Sequence, residues 1–153
     1  MVSRAFELPE FINKTPKQLG YHFPAEFALH EATWLSWPHK EESWPGKIDA
    51  IYPAYSQFVK VLAQSEKVRI NVSNEQVKAL AIQHLERAGV NLGQVEFFLH
   101  PTNDAWCRDH GPAFLVNAKG KYKKVIVDWG YNAWGGKYPP FDFDDVIPTL
   151  IGK

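Results

Sequence analysis

Three short runs of β-forming side chains divide the first hundred residues. Residues 31–38, 67–72 and 94–100 are rich in Val, Ile, Phe, Thr and Trp. This composition predicts strands, because β-branched and aromatic side chains fit a pleated, half-buried surface. Pro38 ends the first run, since proline cannot donate a hydrogen bond to a sheet ladder.

Two helices are predicted between these strands. Apolar side chains recur at helical spacing in residues 51–64, which places Pro53 in the first turn, where proline is tolerated. The second helix follows Ser73, which pairs with Gln76 as a capping box, and it stops at Gly89. The order strand, helix, strand, helix, strand indicates parallel pairing through right-handed crossovers.

The pattern changes in the second half of the chain. Residues 112–117 and 122–130 predict an antiparallel hairpin, and residues 131–145 are rich in Gly and Pro. Residues 1–24 contain three prolines and no clear period, so we interpret them as an irregular lead-in. The predicted fold class is therefore α/β with mixed parallel and antiparallel strands, in a single domain covering residues 1–153.

Composition and charge narrow the function classes. Lys and Arg together number 17, and so do Asp and Glu, which gives no electrostatic reason to expect nucleic acid or an anionic membrane as a partner. No run approaches the roughly 18 apolar residues of a membrane span, and the N-terminus lacks the apolar region of a signal peptide. A single cysteine cannot form an internal disulfide, which favours a reducing compartment and predicts a cytoplasmic protein.

The stretch TNDAWCRDHGP, residues 102–112, is a dense cluster of charged and reactive side chains. It follows the third predicted strand, and ligands of open α/β sheets bind at the carboxyl ends of parallel strands. Asp104 and Asp109 can together accept the donor fork of a guanidinium, and Trp106 offers a face to a delocalised cation. A helical or turn-like backbone would place Trp106 and Asp109 on one side. The alternative is a solvated turn, since Asn, Asp, Gly and Pro are also turn residues.

Cys107 suggests a third interpretation of this stretch, a nucleophilic site with His110 three residues away. A catalytic thiol needs a base or a positive field to ionise. A lone cysteine is more often a small buried hydrophobe, however, and the charges of its neighbours Arg108 and Asp109 largely cancel. The residues therefore favour a bystander role for Cys107.

Two further segments are rich in tryptophan. In residues 128–140, Gly135 and Gly136 would let the backbone approach a ligand closely, and Trp134 would supply an aromatic face. The competing interpretation, that such tryptophans cover an edge of the core, is favoured for any one of them. Residues 33–46 hold three Trp without a convergent acid or base, so packing is predicted there.

The sequence gives no support for a metal or nucleotide site. The six histidines form no HxH or HxxxH pair, and Asp142, Asp144 and Asp145 lack the glycine and distant glutamate of an EF-hand. No glycine-rich phosphate-binding motif is present. We therefore expect neither a metal nor a nucleotide cofactor.

The loop 102–112 and the two tryptophan-rich segments resemble the agmatine deiminase and bacterial-type peptidylarginine deiminase family, which belongs to the guanidine-modifying enzymes. The resemblance rests on residues 24–46, 102–117 and 128–145, which occur in the family's order. The motifs W-x-R-D-x-G-P and D-W-G-x-N-A-W-G-G are specific when found together, and the second favours the agmatine branch.

The resemblance implies a fold and a reaction. The fold is a pentein, an α/β propeller of ββαβ-type units around a central active site, of which this chain would form a part. In the family, a cysteine thiolate attacks the guanidinium carbon and ammonia leaves. Water then hydrolyses the S-alkylthiouronium, with a histidine as acid and base and two carboxylates holding the guanidinium nitrogens. Agmatine thereby gives N-carbamoylputrescine and ammonia, with no cofactor or metal.

The resemblance also implies roles for individual residues. Asp109 matches the first gripping carboxylate, a catalytic residue, and Trp106 matches the aromatic wall beside it. Asp104 and Trp134 are implied as substrate-binding residues by motif membership only. The family's catalytic histidine, second carboxylate and nucleophilic cysteine belong to later motifs that are absent here, and Cys107 does not match the nucleophile.

We therefore expect this chain to be the N-terminal portion of an agmatine deiminase and to be inactive by itself. The expected partner is a small-molecule guanidine, and the open strand edges of an incomplete propeller would favour association, including a homo-oligomer. The alternatives are a peptidylarginine deiminase-type enzyme and a non-catalytic module that binds cationic amines.

Overall fold

The centre of the molecule is a three-stranded parallel sheet. The structure, a computed structural model, describes residues 11–153. In the sheet, β1 (Ala32–Ser36) and β3 (Val95–Leu99) flank β2 (Lys67–Val72), and both pairs run parallel. The three predicted strands and their parallel pairing are therefore confirmed.

The first connection contains α1 (Ile48–Leu62), which begins three residues earlier than predicted. Pro53 consequently lies inside the helix, and its predicted place in the first turn is wrong. The helix starts early because the Lys47 carbonyl accepts hydrogen bonds from the N–H groups of Ala50, at 2.9 Å, and Ile51, at 3.2 Å. Ile48 packs against the core, so apolar burial favours the added turn.

The second connection contains α2 (Glu75–Ala88). The predicted capping box with Ser73 is wrong, because Asn74 is the N-cap and its side chain accepts the Val77 N–H at 2.9 Å. Asparagine serves this position as well as serine does. Gly89 ends the helix with a φ of +71°, as predicted for a left-handed C-cap.

The core lies between the sheet and the two helices. Val68 and Ile70 of β2 are fully buried against Val59 of α1 and Leu85 of α2. Trp37, at the end of β1, is 1% exposed and belongs to the same cluster, so the packing role predicted for the tryptophans of residues 33–46 is confirmed for this one.

A separate antiparallel pair follows the parallel layer. β4 (Ala113–Val116) pairs with β5 (Lys124–Val127), which confirms the predicted hairpin with shorter strands. The lead-in is less irregular than predicted, because it contains a 3-10 helix (Lys17–Leu19) and His22 forms an isolated bridge to β4. The first ten residues of the predicted lead-in lie outside the described part of the chain.

The loops carry short helical turns. The 3-10 helices are Glu41–Ser43 and Leu92–Gln94, and the single-turn helices are α3 (Cys107–His110), α4 (Ala133–Gly136), α5 (Asp142–Asp145) and α6 (Ile147–Ile151). Within the described chain, no helix has both the length and the apolar content needed to span a bilayer. The α/β class with parallel and antiparallel strands is thus as predicted.

Candidate functional site

The loops that follow β1 and β3 lie side by side at the carboxyl edge of the parallel sheet. His39, in the first loop, places a ring nitrogen 3.0 Å from the Thr102 carbonyl oxygen in the second. Ser43 of the first loop donates a hydrogen bond to the Asp104 carboxylate of the second. The cluster of residues 102–112 therefore stands at the edge where open α/β sheets bind ligands.

The Asp104 carboxylate is buried and already has partners. Its Oδ1 accepts the Ala105 N–H at 2.7 Å, and its Oδ2 accepts from the Ser43 hydroxyl and lies 3.9 Å from the Lys40 ammonium. Removing partners from a buried charge is costly. This placement favours a role for Asp104 in holding the loop, and its contact with substrate stays a prediction.

Trp106 and Trp134 are brought together from two loops distant in sequence. Their rings meet edge to face, with centroids 6.1 Å apart, and Trp44 stacks on Trp106 with a centroid separation of 6.2 Å. Trp106 is 40% exposed and Trp134 is 49% exposed. These three rings form a partly open surface, here called the tryptophan wall, of the type that attracts flat cations.

Asp109 is exposed and lies one turn from Trp106. The Asp109 N–H donates to the Trp106 carbonyl oxygen at 2.9 Å, so the backbone here forms a helical turn. Across residues 11–153, the Asp109 carboxylate accepts no hydrogen bond and forms no ion pair, and its neighbour Arg108, whose charge it feels, is paired with Glu26. It is therefore available to a cation from outside.

Three carboxylates influence the same aromatic hydroxyl. Burial, together with the negative charges of Asp144, Asp109 and Asp104, raises the pKa of Tyr131 to about 12. Carboxylates that oppose ionisation of a phenol favour a cation at the same place for the same reason. Since the Tyr131 ring lies 5.9 Å from that of Trp134, the acidic region and the tryptophan wall are neighbours.

An uncommon backbone conformation orients Trp134. The four residues of α4 have φ values of +48°, +57°, +80° and +77°, which describe one left-handed turn. This conformation costs an L-residue about 1–2 kcal/mol, so glycine suits the last two positions while Ala133 and Trp134 are strained. The Asn132 side chain stabilises the turn by accepting the Gly135 N–H at 2.9 Å. Such strain is typical of functional loops.

The environment of Cys107 agrees with the bystander interpretation. α3 packs against β1, and the Cys107 thiol interacts with the Ser36 hydroxyl. Burial raises the pKa of Cys107 to about 11, so the side chain is a protonated thiol at neutral pH. A protonated thiol is a poor nucleophile.

His110, which the nucleophilic interpretation needs as a base, is fully buried. Its ring contacts Tyr131 edge to face at 5.9 Å, and neither ring nitrogen forms a hydrogen bond of good geometry within the described residues, although the nearby backbone of Asp104 and of His110 itself favours protonation of the ring. Burial lowers the pKa of His110 to about 4, so the imidazole is neutral at pH 7. A neutral, buried imidazole and a protonated thiol do not constitute an activated pair.

The acidic residues of α5 accept backbone hydrogen bonds. Asp144 accepts the Asn103 N–H at 2.7 Å, and Asp145 accepts the Tyr131 N–H at 2.7 Å. One helical turn thereby connects the loop after β3 to the loop that carries Trp134. In the part of the chain that the structure describes, no group of three or more His, Cys, Asp or Glu side chains is arranged to hold a metal ion.

Sequence reasoning missed several residues of this site. The sequence predicts packing for Trp44, and nothing in its neighbourhood indicates that it stacks on Trp106. Asn103 and Asp144 gave no signal because their partners are about 40 residues away. Tyr131 was visible as part of an aromatic run, but only its contacts show that it borders the acidic region.

Comparison with known proteins identifies relatives. Residues 22–153 match the profile of the Porphyromonas-type peptidyl-arginine deiminase family. The agmatine deiminase of Ectopseudomonas mendocina (strain ymp) is 35% identical over 144 residues, which are 92% of this chain and 37% of that protein. The agmatine deiminase of Stutzerimonas stutzeri (strain A1501) is 34% identical over 144 residues, with the same two shares.

The fold is also shared with a solved structure, a variant of C. jejuni agmatine deiminase with substrate bound. The TM-score is 0.70 at 26% sequence identity, over 86% of this chain and 36% of that one. This overlap confirms the predicted fold class and the resemblance on which it rested. The chain spans little more than a third of the length of these relatives.

Proposed function

Because the chain belongs to the Porphyromonas-type peptidyl-arginine deiminase family, we propose that it forms one side of the guanidinium site of an agmatine deiminase. The reaction is the hydrolysis of agmatine to N-carbamoylputrescine and ammonia. We assign the remaining catalytic groups to another part of the complete enzyme, since this chain spans 37% of the length of its E. mendocina relative.

The observation that carries this proposal is the position of Asp109 one helical turn after Trp106, a residue of the tryptophan wall. A guanidinium is flat, so one face can lie on the Trp106 ring while its edge donates two hydrogen bonds to the Asp109 carboxylate. The Asp109 carboxylate is exposed and unpaired across residues 11–153. The additional charges of Asp104 and Asp144 near Tyr131 favour a cationic ligand over a neutral one.

Asp109 contributes orientation and charge to the proposed reaction. A cysteine thiolate of the complete enzyme adds to the guanidinium carbon. The C–N bond then breaks, and ammonia leaves with a proton from a histidine in the other part of that enzyme. Water then adds to the same carbon, the C–S bond breaks, and the ureido product and the thiolate are released. Asp109 holds the guanidinium nitrogens throughout the first step and so keeps the carbon in line with the sulfur.

The chain is proposed to bind agmatine without turning it over. Its single cysteine is Cys107, whose pKa is raised to about 11 by burial. Covalent catalysis needs a thiolate and a base within reach, and the neutral, buried His110 is not suited to that role.

Isothermal titration calorimetry tests the binding half of this proposal. We expect agmatine to bind the wild-type chain, and Asp109→Asn to weaken binding by about tenfold or more, because hydrogen bonds to a charged group contribute about 1.5–3 kcal/mol. Putrescine, which has amines and no guanidinium, should bind more weakly than agmatine. Glu86→Gln is the matched control, because it removes an exposed charge from α2.

Two results would contradict the proposal. Equal affinity of Asp109→Asn and wild type for agmatine would remove Asp109 from the site. Ammonia release by the purified chain that is lost in Cys107→Ala would show that Cys107 is catalytic and that the chain is active by itself.

The open wall and the unpaired Asp109 also suit a second function, a non-catalytic module that binds cationic amines. Mixing the chain with the part of the E. mendocina enzyme that it does not cover distinguishes the two. Restored ammonia release favours the enzyme, whereas agmatine binding without restoration favours the module.

A further inference from the structure

Two segments distant in sequence are joined by hydrogen bonds in which backbone N–H groups of each segment donate to a side-chain oxygen of the other. The Asn103 Oδ1 accepts the N–H groups of Phe143, at 2.8 Å, and Asp144, at 3.1 Å. In return, the Asp144 Oδ1 accepts the N–H groups of Asn103, at 2.7 Å, and Asp104, at 3.4 Å. These four bonds are here called the Asn103–Asp144 clamp. Two of them satisfy N–H groups of α5 that have no partner inside the helix, and the other two satisfy N–H groups of the loop after β3.

Burial makes the clamp energetically important. Asp144 is 2% exposed, and a buried acceptor or donor left without a partner costs about 1–3 kcal/mol. Burial raises the pKa of Asp144 to about 6, so at pH 7 it is mainly a carboxylate that accepts these bonds. The His110 ring lies 3.9 Å away and is neutral, so the backbone amides of Asn103 and Asp104 are the main groups that stabilise the charge.

The clamp acts on the backbone just before the site. Asn103 and Asp104, whose N–H groups Asp144 accepts, directly precede the turn that carries Trp106 and Asp109. The next residue of α5, Asp145, accepts the Tyr131 N–H in the loop that leads to Trp134. A single helical turn therefore sets the position of one loop relative to the other.

We propose that Asn103 and Asp144 are positioning residues of the guanidinium site, which act on a ligand only through Trp106 and Asp109. This inference rests on the proposed function, because it concerns the shape of that same site. A positioning role requires an acceptor oxygen at residue 144 and does not require its negative charge. A role in attracting the cation would require the charge.

Hydrogen exchange and circular dichroism test the clamp without any ligand. We expect Asp144→Ala to speed exchange at the amides of Asn103 and Asp104 by about tenfold or more and to weaken the exciton band of the stacked Trp44–Trp106 pair. Asp144→Asn should preserve most of both signals, because its amide oxygen still accepts. Asp142→Ala is the matched control on the same helix, since Asp142 is exposed and makes only a 3.3 Å contact with the Asn103 side chain.

Calorimetry with agmatine then connects the clamp to the site. Affinity should fall by about tenfold in Asp144→Ala and stay within about threefold of wild type in Asp144→Asn and Asp142→Ala. Equal losses in Asp144→Ala and Asp144→Asn would overturn the proposal in favour of a charge effect. Unchanged exchange, exciton band and affinity in Asp144→Ala would overturn it altogether.

Variants of Asn103, the other side chain of the clamp, provide an independent test. If Asp144→Ala does not fold, Asn103→Ala replaces it. Asn103→Asp in an Asp142→Asn background is the rescue, because a carboxylate oxygen accepts the same two α5 amides and then faces no second carboxylate at residue 142. Rescue by Asn103→Asp supports the clamp, and failure of that rescue contradicts it. If wild type binds no agmatine, the proposed function of the isolated chain fails, while exchange and circular dichroism still decide whether the clamp exists.

Discussion

In the parallel layer of β1–β3, α1 and α2, residues such as Ile70 and Leu85 are fully buried among apolar neighbours. The site loops, residues 100–112 and 128–145, are held differently. Their order comes from directional hydrogen bonds of side chains such as Asn103 and Asp144, and from edge-to-face contacts of tryptophans.

The two kinds of stabilisation differ in what one substitution can do. Apolar burial is non-directional and shared among many contacts, so a core change lowers stability and leaves the geometry of the site in the folded molecules unchanged. A hydrogen bond fixes both distance and angle, so losing one moves a loop even when the fold persists. The layer therefore determines whether the chain folds, and the loops determine the shape of the site.

The largest expected effect is on the parallel layer. Leu85→Ala should lower the free energy of unfolding by about 3–4 kcal/mol, because it leaves a cavity beneath the sheet. Urea denaturation followed by circular dichroism measures this loss. Leu99→Ala, at a side chain that is 52% exposed, is the control and should cost less than about 1 kcal/mol. Equal losses would show that burial does not distinguish these positions.

The next effect depends on pH and concerns His110. Burial lowers its pKa from 6.5 to about 4, so between those values the unfolded chain binds more protons than the folded one. Stability therefore falls as the pH falls through this window, by about 2 kcal/mol from pH 7 to pH 5. His110→Phe loses no hydrogen bond within the described residues and should remove this decline.

The pH dependence of stability that Asp144 contributes has the opposite sign to that of His110. Burial raises its pKa from 3.8 to about 6, so the folded chain binds more protons in that window and gains about 1 kcal/mol on acidification from pH 7 to pH 5. Urea unfolding at the two pH values should show Asp144→Asn losing more stability than wild type on acidification, and His110→Phe losing less. If acidification changed the stability of Asp144→Asn and of His110→Phe in the same direction relative to wild type, the pKa shifts assigned to Asp144 and His110 would be contradicted.

The smallest expected effect is at a glycine of the left-handed turn. A Cβ at Gly135 meets no atom within 4 Å, yet its φ is +80°, so Gly135→Ala should cost about 1 kcal/mol through conformation alone. Gly89→Ala is the matched control, because Gly89 has a φ of +71° and its added Cβ would meet only the Lys60 ammonium at an ordinary 3.5 Å. Both should lower the melting temperature similarly, but only Gly135→Ala should change the tryptophan fluorescence and weaken agmatine binding. Identical fluorescence and binding would show that the turn does not orient Trp134.

The contrast between apolar burial and directional hydrogen bonds also explains which features the sequence predicts well. The strands and helices of the parallel layer follow from apolar periodicity, which is local, and errors there concern single positions such as Pro53 and Ser73. Loop 102–112 was predicted as a candidate site because its residue types suit a guanidinium. Its supports were not predictable, since an acceptor such as Asp144 is matched to an amide about 40 residues away without any periodic signal.

The central claim is that Asp109 and the tryptophan wall bind a guanidinium together. A nuclear magnetic resonance titration with agmatine, following the indole N–H signals, tests it most directly. The account predicts that the signals of Trp106 and Trp134 move while that of Trp37, 1% exposed in the core, stays fixed, and that Asp109→Asn abolishes the movement. Signals of Trp106 and Trp134 that stay unmoved, or that move equally in Asp109→Asn, would contradict it.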